Sequence, residues 1–173
     1  GPGGRRAVEM TKHLPNPKVG VIATDATVES RAYLEAVKRV SETTRVFQAG
    51  CPMFVPLAEE GWTNEPETYS IAEKYLKDMK IFAPTALVLG CTHYPILRDV
   101  IQKTIGEDVQ LIDSGEATAD EVAALLKENG MENPNKITGP RKLCDDIDHF
   151  YVTDAAERFG RVAQRFLGAK PSK

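Results

Sequence analysis

The tripeptide Cys91-Thr92-His93 carries the most chemistry in the least space. A cysteine is a base or nucleophile as thiolate and an acid as thiol. A histidine two residues on can act as its proton partner, because imidazole changes charge near neutral pH. Thr92 adds a hydroxyl that donates or accepts. The apolar run Ala86-Leu87-Val88-Leu89-Gly90 leads into the tripeptide, and Pro95 follows it. The run reads as a buried strand and Pro95 as part of the first turn of a helix. Cys91 then falls at the carboxyl end of a strand, where backbone N–H groups of the turn favour thiolate over thiol. The competing reading is a packed structural cysteine beside a core histidine, since free cysteine is among the most buried residue types. The same features would also suit a cysteine hydrolase.

Other candidates stand further off. Cys51 lies in the apolar stretch Cys51-Pro52-Met53-Phe54-Val55-Pro56-Leu57 and reads as packing. Glu59 and Glu60 follow that stretch, and Glu60 reads as a solvated carboxylate. Thr24 and Thr27 come at the end of the run Val19-Gly20-Val21-Ile22-Ala23. Helix capping is the commoner role for such threonines. Cys144, His13 and His149 are given no function. Arg5-Arg6 is too short to be a nucleic-acid arm.

These residues need a framework, and the pattern supplies one. Strands are expected at 19–23, 44–48, 86–90, 109–113 and 149–153. One helix is expected from near Val28, with Tyr33, Leu34, Val37 and Val40 on a face. Others are expected over 66–82, 95–105, 117–128 and 155–167, with Gly130 as a C-terminal stop. Residues 51–57 hold two prolines and read as a loop or a broken helix start. Residues 131–146 read as a polar connection around a weak strand, and 169–173 as a frayed tail. Strands alternating with helices define an α/β fold with a mostly parallel sheet flanked by helices. Ligands in such sheets bind beyond the carboxyl ends of the strands.

Composition narrows the function classes. The 173 residues suit one domain or two small lobes. Lys and Arg total 22 against 25 Asp and Glu, a net charge of −3, which disfavours a nucleic-acid partner. Hydrophobic residues make up 42%, enough for a core. No apolar run approaches the roughly 20 residues that cross a bilayer, so no membrane association is expected. The first six residues are not followed by an apolar stretch and do not read as a signal peptide. Three cysteines without a CxxC pair do not make a disulfide framework, and a reducing cytoplasm is the simplest compartment. Three dispersed histidines show no zinc spacing, so no metal is expected.

The stretch Ala86-Leu87-Val88-Leu89-Gly90-Cys91-Thr92-His93-Tyr94-Pro95 resembles the C-terminal signature of bacterial glutamate racemase, within the aspartate/glutamate racemase superfamily. Residues 20–27, 51–57, 112–118 and 150–153 resemble that family in the same order, so the likeness covers nearly the whole chain. The family's N-terminal Asp-Ser-Gly motif and its first catalytic cysteine have no counterpart here. The resemblance therefore implies one complete lobe of a two-lobe racemase, residues 1–113, bearing Cys91. Residues 114–173 would be a C-terminal segment returning to the other lobe. Having lost its partners, that segment is expected to expose apolar surface.

The resemblance further implies cofactor-independent racemisation of L- and D-glutamate by two cysteines, supplying D-glutamate for peptidoglycan. By it, the catalytic residues are Cys91, His93 assisting the proton transfer, and Glu59 tuning the histidine. Thr92, Thr24 and Thr27 would bind the substrate's carboxylate and ammonium groups. The chain alone is expected to be inactive or crippled. A homodimer is among the arrangements the resemblance allows. An aspartate or related amino-acid racemase remains an alternative, as does a non-catalytic amino-acid-binding unit.

Overall fold

The computed structural model describes residues 2–134 and 150–167. Two compact units divide the chain, 1–129 and 130–173.

The first unit is built on four parallel strands. They are β1 (Lys18–Ala23), β2 (Arg45–Gly50), β3 (Ala86–Leu89) and β4 (Gln110–Asp113), in the spatial order β2-β1-β3-β4. Alternation along the strands sorts side chains to two faces. Val19, Val21, Ala86, Val88 and Ile112 face one core with Ala7, Met10 and Tyr33. Ile22, Leu87, Leu89 and Leu111 face the other, with Phe54, Leu57, Leu76, Met79, Leu97 and Ile101. The first core is covered by α1 (Pro2–Thr11) and α3 (Ala32–Val40), and the second by α4 (Phe54–Glu60), α5 (Pro66–Phe82) and α6 (Arg98–Ile105). A short α2 (Asp25–Glu29) leaves the end of β1. Another helix, α7 (Ser114–Glu128), packs on α1, and the ion pairs Arg5–Glu121 and Arg6–Asp120 join the two. Both faces of the sheet are covered, as the near-continuous apolar strands require.

Several elements depart from expectation. The helix from near Val28 is two helices, because Arg31 adopts the left-handed conformation at φ 57° and breaks the run. Of the two readings of residues 51–57, the broken helix start holds, since α4 begins at Phe54. Pro56 is the third residue of α4, where its missing N–H has no helical acceptor to lose. The helix expected over 95–105 begins as a 3₁₀ turn, Tyr94–Leu97, and becomes α6 only at Arg98. Helix α1 was not foreshadowed, since Gly3 and Gly4 disfavour a helix by propensity. Both are buried, and a Cβ on Gly3 would lie 2.6 Å from Ser114 Oγ and 3.2 Å from Val88 Cγ1. Glycine there lets α1 lie close on the sheet.

In the second unit, α8 (Ala156–Leu167) forms near the expected place. Residues 150–153 carry no strand, and no ladder of backbone hydrogen bonds among the described residues reaches them. His149, Cys144, the expected weak strand and the expected frayed tail lie outside the described residues.

One backbone approach sets the upper edge of the sheet. Gly90 N–H donates to the Ile22 carbonyl at 2.8 Å, and Cys51 N–H to the Ala23 carbonyl at 2.8 Å. A Cβ on Gly90 would sit 2.9 Å from that Ile22 oxygen, 3.0 Å from Tyr33 Cε2 and 3.2 Å from Ala23 Cβ. Backbone cannot yield there as a flexible side chain could. Gly90→Ala is therefore expected to destabilise the chain by about 1–3 kcal/mol. Urea denaturation checks this, and an unchanged midpoint would contradict the packing.

Candidate active site

The strand order places the candidate residues. The chain steps from β1 outward to β2, then crosses back to β3 on the other side of β1. The carboxyl ends of β1 and β3 thus flank a topological switch point, the place where open α/β sheets bind ligands. Thr24 follows β1, Cys51 follows β2, and Gly90-Cys91 follows β3. All three stand on one edge.

Cys91 is half-buried in the turn after β3. Its Sγ lies 3.8 Å from His93 Nδ1. The other ring nitrogen, His93 Nε2, lies 3.2 Å from Glu59 Oε1. Both of those side chains are only 23% exposed. Thr92 Oγ1 is 3.5 Å from His93 Nδ1. Four of the six sequence-nominated residues therefore form one group: Cys91, Thr92, His93 and Glu59. Glu59 is brought in by α4, whose Phe54, Leu57 and Ala58 are buried in the core. Glu60, the next residue, is exposed, as expected.

Thr24 and Thr27 stand at the end of β1. Thr24 occupies the N-cap position of α2, yet its side chain makes no capping hydrogen bond. Its hydroxyl pairs instead with that of Thr27, at 3.1 Å. Simple capping thus does not explain the two threonines.

The two described cysteines differ electrostatically. Cys51 is fully buried, and that burial, with Asp25 nearby, pushes its thiol up to about 12. It is a packing residue, as the sequence suggested. Burial also raises the Cys91 thiol, but the His93 backbone N–H and the Thr92 hydroxyl act against it by hydrogen bonding to the sulfur. The turn donors favour thiolate as expected, although burial outweighs them.

The arrangement implies a direction for the proton. A neutral imidazole that donates its Nε2 proton to Glu59 leaves Nδ1 as an acceptor facing Cys91. The thiol proton can pass to Nδ1, giving a thiolate beside an imidazolium, and can return. Such a cysteine is able to serve as base or as acid.

Sequence reasoning missed Tyr94. It is fully buried, and its hydroxyl donates to the Cys51 carbonyl at 2.9 Å. A bulky aromatic wedged between His93 and Pro95 was the available signal. Among the described residues, no group of three or more His, Cys, Asp and Glu side chains could hold a metal ion.

A parallel α/β sheet with a cysteine–histidine–carboxylate array at its switch point defines the class of site. The chain belongs to the Asp/Glu/Hydantoin racemase family, which it matches over residues 4–122. It is 43% identical over 169 residues to a glutamate racemase of Geobacter metallireducens, covering 98% of this chain and 59% of that relative. Among solved structures, glutamate racemase isoform RacE1 from Bacillus anthracis superposes with a TM-score of 0.86 at 30% identity. That match covers 99% of this chain and 60% of the other. A Francisella tularensis glutamate racemase in complex with D-glutamate gives a TM-score of 0.81 at 34% identity, covering 98% of this chain and 60% of that one. The chain thus spans about three-fifths of the length of these relatives.

The contrast between the cysteines is measurable. Peptide-mapped alkylation of the native chain with iodoacetamide at pH 8 should modify Cys91 at least about tenfold faster than Cys51. Equal rates would contradict the buried, high-pKa assignment of Cys51.

Proposed function

We propose that this chain carries one catalytic face of a glutamate racemase. The observation that carries the reading is the Cys91–His93–Glu59 array at the switch point of a family fold. Its near relatives at 43% and 42% identity are both glutamate racemases.

Racemisation at Cα removes a proton from one face and delivers another to the opposite face. The Cα–H is a very weak acid, so the base must be strong, dry and close. Here Cys91 thiolate would remove or Cys91 thiol would deliver the proton on its face. His93 would hold the exchanged proton, and Glu59 would position and polarise His93. Thr92, Thr24 and Thr27 would bind the amino acid's carboxylate and ammonium groups by hydrogen bonds. The reaction needs no cofactor, since two thiol groups of opposite protonation suffice.

The second thiol would belong to a further lobe. Support comes from apolar surface: Val122, Leu125 and Leu126 of α7 are 49%, 58% and 38% exposed. In the second unit Tyr151 is 90% exposed. Residues 1–113 would form the Cys91-bearing lobe, and 114–173 would complete its neighbour. Alone, the chain would be inactive or crippled in full racemisation. In the whole protein the product D-glutamate would serve peptidoglycan synthesis. No described helix is long and apolar enough to cross a membrane. A homodimer would cover the exposed apolar residues in a second way.

The test is α-proton exchange. The chain is incubated with L- or D-glutamate in deuterated water, and the Cα–H signal is followed by NMR. Expected is slow exchange of one enantiomer with retained configuration, abolished in Cys91→Ala. Exchange persisting in that variant would overturn the role of Cys91. Exchange with inversion would place a second acid within this chain and overturn the half-site. Faster exchange of aspartate than of glutamate would favour the aspartate-racemase alternative.

A further inference from the structure

Glu59 acts on His93 only if α4 is held in place, and α4 is poorly equipped to hold itself. It has 7 residues, contains Pro56, and its N-cap Met53 makes no side-chain capping bond. Helices this short depend on tertiary contacts. The contacts at its entry are aromatic. Phe54, the first helical residue, meets the Tyr94 ring edge-on, with centroids 5.4 Å apart and planes at 88°. It meets Tyr75 similarly, at 5.4 Å and 84°. The Tyr75 hydroxyl accepts the Met53 N–H at 3.1 Å. The Tyr94 hydroxyl donates to the Cys51 carbonyl at 2.9 Å.

Tyr94 therefore bridges two segments. It follows His93 directly, and its own N–H closes the Cys91 turn by donating to the Cys91 carbonyl at 3.2 Å. Its side chain grips the segment that enters α4. Besides the Phe54–Tyr94 ring contact, two polar contacts join the segments 51–60 and 91–94. One is the buried Tyr94–Cys51 bond, and the other is the partly exposed His93–Glu59 contact at the site. Burial keeps the Tyr94 phenol protonated, so it acts as a fixed donor.

We infer that Tyr94 is a positioning residue for proton transfer at Cys91: its bond to the Cys51 carbonyl holds α4, and so Glu59, within reach of His93. The inference rests on the racemase reading only for its biological purpose. The coupling itself is a property of this chain's thiol.

The experiment is a double-mutant cycle of Tyr94→Phe and Glu59→Gln, read by peptide-mapped iodoacetamide alkylation of Cys91 from pH 6 to 10. Phenylalanine keeps the ring contacts and removes only the donor. Loss of the carboxylate's hold on His93 should make thiolate harder to form. Each single variant is expected to move the half-maximal rate to higher pH and slow alkylation at pH 8 by about threefold or more. The double variant should move no further than Glu59→Gln alone. An unmoved profile in Tyr94→Phe, or a full repeat of its shift on the Glu59→Gln background, would overturn the inference. A merely structural role for Tyr94 predicts the second outcome.

If Tyr94→Phe does not fold, the reciprocal measurement decides. Glu59→Gln should then shift the NMR resonances of the Cys51 and Phe54 amides, and unchanged resonances would overturn the coupling. Alkylation needs no amino-acid substrate. Failure here leaves glutamate exchange intact, and absent exchange leaves this coupling intact, so the two readings fail separately.

Discussion

The site depends on the close approach of β3 to β1 at Gly90. The 2.8 Å bond from Gly90 N–H to the Ile22 carbonyl fixes where β3 ends, and hence where Cys91 emerges. Any side chain at position 90 would strike backbone and the Tyr33 ring together. Tyr33 also reaches Ser114, hydroxyl to hydroxyl at 3.0 Å, at the start of α7. The end of β3 and the start of α7 are thus packed through one tyrosine. Displacing Gly90 would disturb the thiol and the base of that helix together.

Around this fixed point, two opposing effects act on Cys91. Desolvation favours the neutral thiol, while the turn N–H and the Thr92 hydroxyl favour thiolate. Cys51 shows what burial does with Asp25 near it: its thiol is pushed up to about 12. Cys91 differs from Cys51 in its lesser burial, in the donors around its sulfur and in the His93–Glu59 contact beside it. A half-buried cysteine of this kind stays neutral at rest, yet has a neighbour able to take its proton.

The sheet was legible because its strands are short, apolar and bounded by turn residues, and α5 was legible because Pro66 opens it and an apolar face continues to Phe82. Local pattern failed where tertiary contact decided. Pro52 and Pro56 left a loop and a broken helix start both open, and the burial of Phe54, Leu57 and Ala58 in the core decides for the helix. Gly3 and Gly4 weakened α1 as a sequence signal, although their small size is what lets it approach the sheet. Of the strand expected over 149–153, residues 150–153 carry β-forming types, yet no described strand pairs with them. At the site, Cys91 and His93 stand two residues apart and were visible on chemistry alone. Glu59 lies 34 residues from His93, and only the family likeness nominated it. Tyr94 stayed hidden because its partner is a backbone carbonyl, and a sequence shows no sign of which carbonyl will be left in need of a donor.

The proton link from Cys91 through His93 to Glu59 is the feature on which the functional reading stands. It is tested most directly by the pH profile of Cys91 alkylation in the native chain and in His93→Asn. Asparagine keeps a polar side chain but cannot take up the thiol's proton. If His93 exchanges a proton with Cys91, the variant's profile moves to higher pH and loses amplitude at neutral pH. Superimposable profiles would mean that the imidazole merely packs beside the sulfur, and would contradict the link.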